Sequence, residues 1–86
     1  MENSEVEKLI ADGLPGAEVT VTGGDGHYEA RVIWSEFDGK PPVARQKMVY
    51  ATLGEHITSG ALHALTIKAY TPEQWSQAGK LQVGSA

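Results

Sequence analysis

The apolar residues at the start of the chain recur at the spacing of one helical face: Val6, Leu9 and Ile10. Ser4 lies before this run and Glu7 lies within it. The two residues have the spacing of a capping box, which makes Ser4 the expected N-cap. Gly13 stops the pattern, as glycine does at helix ends. We therefore predict a first helix over about residues 5–12.

The period then changes to the alternation that is typical of strands with one buried face. Residues 18–22 alternate in this way, residues 23–26 (Gly-Gly-Asp-Gly) predict a turn, and residues 27–34 alternate again. One face of the second run carries apolar side chains: Tyr28, Ala30, Val32 and Trp34. The opposite face carries polar ones: His27, Glu29 and Arg31. The two runs predict a β-hairpin.

A second helix is predicted to begin near Pro42 and to stop near Ser59-Gly60, because proline suits the first turn of a helix and glycine its end. The expected buried stripe contains five apolar residues: Val43, Val49, Tyr50, Leu53 and Ile57. The residues expected to face water are polar: Arg45, Lys47, Thr52 and Glu55.

Residues 62–70 predict a third strand, which can pair in parallel with the hairpin because a helix separates them. A last short helix follows, with Thr71 as N-cap, Pro72 at the first position and Gln74 completing the box. Trp75 is expected to pack this helix against the rest of the chain. The order is thus α-β-β-α-β-α, an α+β class, with a single domain over 1–78 and a flexible tail over 79–86.

Composition narrows the function classes. The 86 residues allow one modest core and no deep enclosed cavity, and the absence of cysteine excludes disulfides and thiol chemistry. Neither a signal peptide nor an apolar run of membrane-spanning length is present, which predicts a cytoplasmic protein with no membrane partner. No nucleophile, paired-acid or triad motif stands out, so we expect no enzyme activity.

Three histidines are the candidate metal ligands: His27, His56 and His63. A closed zinc site needs about four protein ligands, so the residues alone favour ordinary structural or surface roles for all three. Residues 23–26 match the G-x-x-G loop of KH domains, but they join two strands rather than two helices, which favours a hairpin turn. Lys40, Arg45 and Lys47 form either a phosphate-facing patch or a solvated helix face.

Three motifs taken together resemble the BolA family: F-x-G-K from Phe37, V-x-R-Q-K-x-V-Y from Val43, and L-H-A-L-x-I-K-x-Y-T-P-E-x-W from Leu62. Within the family, the acidic composition, the short N-terminus and the Gly-Asp-Gly before His27 look most like the bacterial branch called IbaG or YrbA. The resemblance implies a fold like the class II KH domain, with a three-stranded mixed sheet covered by helices.

The resemblance also implies a function. BolA-like proteins form heterodimers with monothiol glutaredoxins, in which a [2Fe-2S] cluster is shared for iron-sulfur trafficking or for iron, redox and stress regulation. The glutaredoxin cysteine and a glutathione thiol hold one side of the cluster. The family's histidine ligand matches His63, and His27 is the available second ligand from the loop between the first two strands. The isolated protein is then expected to carry no cofactor and to be a monomer or weak homodimer.

Two consequences and two alternatives follow from this resemblance. Histidine ligation should raise the reduction potential of the cluster and make it labile toward acid. Other family members have been regarded as DNA-binding regulators, which here would depend on four cations: Lys40, Arg45, Lys47 and Lys68. The net charge of −4 weakens that alternative, because nucleic-acid binders are usually basic. The second alternative is an adaptor that binds glutaredoxin without a cluster.

Overall fold

The computed structural model describes residues 2–24, 27–54, 56 and 64–77. Its helices and strands follow one another as α1 (Asn3–Gly13), β1 (Glu18–Gly24), β2 (His27–Ile33), α2 (Pro42–Leu53) and β3 (Ala64–Tyr70). A short 3-10 turn at Ser35–Phe37 precedes α2, and residues 72–77 form helix α3. The predicted order α-β-β-α-β-α is confirmed.

The three strands form one mixed sheet in the order β1-β2-β3. β1 and β2 pair antiparallel as a hairpin, and β3 pairs in parallel with β2, which is therefore the central strand. The backbone N–H of Trp34 donates to the carbonyl oxygen of Tyr70 at 2.9 Å and extends the contact between β2 and β3. The predicted α+β fold with a three-stranded mixed sheet is confirmed.

One face of the sheet packs against α1 and α2 and holds the hydrophobic core. The side chains of β2 that contribute to it are those predicted from the alternation: Tyr28, Ala30 and Val32. The largest fully buried side chains come from the helices, the central strand and the 3-10 turn: Phe37, Ile10, Leu53, Val6, Val32 and Val49. The opposite face carries His27, Glu29 and Arg31, and we call it the open face.

The first helix begins earlier than the sequence predicts. Glu2 is its N-cap, and the backbone N–H of Glu2 donates to Oε1 of Glu5 at 3.0 Å. The prediction of Ser4 as N-cap is wrong, because Ser4 lies within the first turn of α1. The earlier start lets Asn3 Nδ2 donate to the carbonyl oxygen of Gly23 at 3.3 Å, a contact with β1 that local sequence does not reveal.

The start of α2 at Pro42 is confirmed, but two positions of its predicted stripe are wrong. Val43 is 63% exposed and Tyr50 is 39% exposed, whereas Arg45, expected in water, is only 9% exposed. α2 ends at Leu53, where Gly54 has φ of 46° and donates its N–H to the carbonyl oxygen of Tyr50.

The guanidinium of Arg45 turns inward, where it donates hydrogen bonds to backbone carbonyl oxygens and to a side-chain amide. Its Nε donates to the carbonyl oxygen of Lys40 at 2.8 Å. Its Nη1 donates to the carbonyl oxygen of Ala69 at 3.2 Å and to Oε1 of Gln74 at 2.8 Å. The guanidinium also lies 5.7 Å from the ring centroid of Phe37. One side chain thus joins α2 to the preceding loop, to β3 and to α3.

The last helix is capped as predicted. Thr71 Oγ1 accepts from the backbone N–H of Gln74 at 3.2 Å, and Gln74 Oε1 accepts from the backbone N–H of Thr71 at 3.0 Å. The Trp75 ring packs 5.4 Å from the ring of Tyr70 and 4.5 Å from the guanidinium carbon of Arg31. The predicted packing of Trp75 is confirmed, and it covers one end of the open face.

The second strand ends one residue before its predicted limit, at Ile33. Trp34 therefore lies outside the strand and donates its indole N–H to the carbonyl oxygen of Pro15 at 2.9 Å. Its ring meets that of Phe37 edge-on, with the ring centroids 5.3 Å apart. Trp34 thus closes the end of the core rather than continuing the alternation.

Several predictions concern residues outside the described ranges: the turn at residues 25–26, the positions of Glu55 and Ile57, the stop near Ser59-Gly60, the start of the third strand at residues 62–63 with His63, and the tail over 79–86. Among the residues that are described, no helix combines the length and the hydropathy of a membrane span.

Candidate functional site

His27 stands at one end of the sheet, at the first position of the central strand. Its register partners are Gly24 at the end of β1 and Ala64 at the start of β3. The side chain of His27 is exposed, and it shares the open face with Glu29 and Arg31 because side chains alternate along a strand. An imidazole at this point is available to a ligand or to a partner protein.

A surface depression of about 310 Å³ lies beside His27. Its lining comes from all three strands: Thr22, Gly23, His27, Tyr28, Glu29 and Thr66. Thr22 and Thr66 are the register partners of Glu29 on either side, so two hydroxyls flank one carboxylate. The wall of the depression therefore combines hydroxyl and carboxylate groups with apolar surface.

The carboxylate in this depression is paired. Lys68 Nζ lies 3.5 Å from Glu29 Oε1, across neighbouring strands, and both side chains are about half exposed. An exposed pair of this kind contributes little to stability, about 0–1 kcal/mol. Its effect is to offset the negative charge of Glu29 next to His27.

Gly23 positions the backbone of His27. It has φ of 125°, a conformation that L side chains rarely adopt, and a Cβ built there would clash with the carbonyl oxygen of His27 and lie 2.9 Å from the Cα of Tyr28. The sequence pattern predicted Gly23 as part of the turn over residues 23–26, whereas Gly23 lies within β1 and has this further role. The available signal was a glycine at the end of an alternating strand, which often marks a close backbone approach.

Few of the described side chains near His27 could ligate a metal ion. Across residues 2–24, 27–54, 56 and 64–77, no group of three or more His, Cys, Asp or Glu side chains could hold a metal ion. His27 can offer one neutral nitrogen ligand, of the kind that iron-sulfur centres accept. His63 is joined by a peptide bond to Ala64, the register partner of His27. The described residues therefore do not form a closed metal site.

His56 belongs to a different surface. It lines a second depression, of about 240 Å³, together with four residues of α1: Glu5, Lys8, Leu9 and Asp12. In α1, Lys8 Nζ lies 2.8 Å from Asp12 Oδ2, and this contact raises the pKa of Lys8. The structure thus separates His56 from the depression beside His27.

The four cations proposed for nucleic-acid contact do not form one patch. Lys40 and Lys47 are exposed. Lys68 is exposed on the open face and paired with Glu29. The interpretation of Arg45 as a solvent-facing phosphate contact is wrong, because its guanidinium is buried against protein carbonyl oxygens. No local signal distinguishes an inward arginine from an outward one when its acceptors lie far along the chain.

The family model described as "BolA: BolA-like protein" matches residues 8–74. A curated relative, "Uncharacterized protein in rpoN-murA intergenic region" of Acinetobacter guillouiae, is 41% identical over 78 residues, covering 91% of this chain and 94% of the relative. "Acid stress protein IbaG" of Escherichia coli strain K12 is 38% identical over 81 residues, covering 94% and 96%.

Solved structures agree with these matches. A bolA protein homologue from Coxiella burnetii has a TM-score of 0.80 at 32% identity, covering 88% of this chain and 97% of that one. The BolA domain of SufE1 from Arabidopsis thaliana has a TM-score of 0.71 at 29% identity, covering 83% and 92%. Sequence motifs, family match and fold lead to one conclusion: the chain belongs to the BolA-like protein family.

Proposed function

We propose that this protein is the non-enzymatic partner of a monothiol glutaredoxin, with which it shares a [2Fe-2S] cluster for cluster trafficking or for iron, redox and stress regulation. The cluster is cargo held between two proteins. His27 and His63 supply the ligands from this chain, and the glutaredoxin cysteine and a glutathione thiol supply the others.

The observation that supports this proposal is the register of the two strands that meet at the candidate site. His27 is exposed at the start of β2, directly opposite Ala64 of β3. His63 directly precedes Ala64 in the sequence, so it is one peptide bond away from the residue that pairs with His27. A two-histidine donor set at a strand end suits a cluster that another protein completes.

The chemistry of these donors suits an exchangeable cluster. A neutral imidazole in place of a thiolate removes negative charge from the cluster and favours its reduced form, as in Rieske centres. Hydrogen bonds and solvent exposure also tune such a cluster, and the Thr22 and Thr66 hydroxyls stand in the depression beside His27. An exposed site allows the cluster to pass to another protein without opening the fold.

The relatives lend support of two kinds. The E. coli relative is called an acid stress protein, which accords with a stress-related role here. One structural neighbour is a domain of a larger protein, SufE1, which accords with a unit that works beside a partner. The nucleic-acid alternative loses support, because Arg45 is engaged within the fold and Lys68 pairs with Glu29.

The test is co-expression of this chain with a monothiol glutaredoxin, followed by visible absorption and circular dichroism of the purified complex. We expect a spectrum that differs from that of the glutaredoxin homodimer and that His63→Ala or His27→Ala alters. His56→Ala is the matched control, because His56 lines a different depression.

The three possible outcomes separate the candidate functions. A homodimer spectrum that this chain leaves unchanged would contradict the shared cluster and favour nucleic-acid binding, which DNA titrations over a salt series would test. A complex that forms without colour, and that none of the three substitutions weakens, would favour the adaptor. A change caused equally by His56→Ala would show that the effect is not specific to the site.

A further inference from the structure

The segment around α2 carries charge of one sign. Residues 39–54 contain Lys40, Arg45 and Lys47 and no aspartate or glutamate. The chain as a whole has 7 cationic and 11 acidic residues, which leaves four cationic and 11 acidic side chains, a net charge of −7, for the remainder. The segment therefore has a net charge of +3, whereas the remaining residues of the sequence sum to −7, and two of its three cations, Lys40 and Lys47, are exposed.

The same segment exposes apolar surface. Among the described residues, the large hydrophobic side chains that are exposed are Val43 and Tyr50, at 63% and 39%. They stand nearly two turns apart on one side of α2, since a turn takes about 3.6 residues. Lys47 is exposed between them, and Lys40 is exposed just before the helix. We call Val43, Lys47 and Tyr50 the α2 stripe.

The aromatic member of the α2 stripe is held in place. The Tyr50 hydroxyl donates to the carbonyl oxygen of Leu65 in β3 at 3.3 Å. A tyrosine fixed in this way loses little conformational freedom when a partner covers its ring, which is why such residues are frequent anchors at interfaces. Tyr50 therefore offers a preorganised apolar contact beside a lysine.

We propose that the α2 stripe docks an acidic amphipathic segment of a partner protein. The carboxylates of that segment would pair with Lys40 and Lys47, and its apolar side chains would cover Val43 and Tyr50. α2 packs on the face of the sheet opposite the one that carries His27, so the proposal is independent of the shared cluster. Charge complementarity combined with apolar contacts is an ordinary feature of such an interface.

A protein segment suits this surface better than a nucleic acid does. Arg45 is turned inward, which leaves Lys40 and Lys47 as the exposed cations of the segment. Two phosphate contacts give only a weak salt dependence, with a slope of about −2. The exposed Val43 has no counterpart on a phosphate backbone, but it matches the apolar face of an amphipathic helix.

The experiment is a titration of the full chain, labelled with ¹⁵N, with a synthetic acidic peptide that places leucine and glutamate on one helical face. The same peptide is also labelled with a fluorophore, and its binding is measured by fluorescence anisotropy. We expect shifts of the α2 amides, and binding that Val43→Ser and Lys47→Glu each weaken about tenfold. Lys8→Glu, which makes the same charge change at an exposed position of α1, is the matched control and should bind like the parent chain.

Two further probes make the result decisive. A peptide with lysine in place of glutamate should not bind, and a short DNA duplex should not shift the α2 amides. The proposal is overturned if the acidic peptide leaves the α2 amides unmoved, or if the lysine peptide binds as well as the acidic one. Stronger binding of the duplex at the same amides would instead assign the surface to nucleic acid. All the substituted positions are exposed, so an unchanged thermal midpoint shows that the variants are folded.

Discussion

Arg45 Nη1 donates a 2.8 Å hydrogen bond to Oε1 of Gln74, although the two residues are 29 positions apart in the sequence. The same oxygen accepts from the backbone N–H of Thr71, and the same nitrogen donates to the carbonyl oxygen of Ala69. Two atoms therefore join α2, the last residues of β3 and the start of α3. The capping of α3 and the burial of Arg45 depend on each other.

Substitution of Arg45 should destabilise the fold rather than affect ligand binding. Arg45→Ala leaves the carbonyl oxygens of Lys40 and Ala69 without their donor, and we expect a loss of about 2–4 kcal/mol in the free energy of unfolding. Arg45→Lys should also be destabilising, because an ammonium cannot reproduce the planar fork. Urea unfolding measures both. Lys47→Ala, at an exposed position of the same helix, should stay within about 0.5 kcal/mol of the parent chain.

Arg45 and Gln74 should be energetically coupled. In a double-mutant cycle of Arg45→Ala and Gln74→Ala, we expect a coupling energy of about 0.5–3 kcal/mol, because the side chains share a direct hydrogen bond. The same cycle with Lys47→Ala in place of Arg45→Ala should give a value near zero. Additive effects of Arg45→Ala and Gln74→Ala would show that the contact contributes nothing to stability.

Gly13 marks the close approach of α1 and α2. A Cβ at this position would lie 2.5 Å from Thr52 Cγ2 and 2.9 Å from Thr52 Cβ. Alanine is favoured over glycine in helices by about 0.5–1 kcal/mol, whereas forcing an extra methyl into a packed contact costs about 1–3 kcal/mol. We therefore expect Gly13→Ala to be destabilising on balance in urea unfolding. Adding Thr52→Ser, which removes Cγ2, should restore part of the loss, and a stabilising Gly13→Ala would refute the close contact.

Two adjacent glycines at the end of β1 should respond differently to alanine. Gly23→Ala meets both a left-handed φ of 125° and the carbonyl oxygen of His27, so we expect a loss of about 1–3 kcal/mol. A Cβ at Gly24 meets nothing within 4 Å, and Gly24→Ala should be nearly neutral. Thermal unfolding compares the two variants. If the proposed cluster forms, Gly23→Ala should also alter its visible circular dichroism, because Gly23 positions the backbone of His27.

Replacing a proposed histidine ligand by cysteine should lower the reduction potential of the shared cluster. A thiolate adds negative charge that a neutral imidazole does not, and we expect His63→Cys to lower the potential by on the order of 100 mV. The measurement is a redox titration of the glutaredoxin complex followed by visible absorption. His56→Cys is the control and should leave the potential unchanged. A potential that His63→Cys does not move would count against ligation by His63.

Local sequence was sufficient for the elements and for which faces of the strands are buried. The alternation from His27 onward placed Tyr28, Ala30 and Val32 in the core, and Pro42 marked the start of α2. The Thr71–Gln74 capping box is present as predicted, since its partners lie within one helical turn. The motifs around Phe37, Val43 and Leu62 also carried the family resemblance, which the family match confirms.

Contacts between residues far apart in the sequence determined the features that local sequence did not predict. The pattern of α2 allows either Val43 or Arg45 to face inward. Arg45 faces inward because it forms hydrogen bonds with β3 and α3, and these acceptors come close to it only after the chain has folded. The N-cap of α1 is Glu2 rather than the predicted Ser4, and the helix that begins there allows the side chain of Asn3 to donate a hydrogen bond to Gly23. The neighbourhood of His27 likewise arises from the parallel pairing of β2 with β3, a relation between strands that α2 separates in the sequence. A periodic pattern reports which side of an element is apolar, but the partners of a polar side chain are set by tertiary structure.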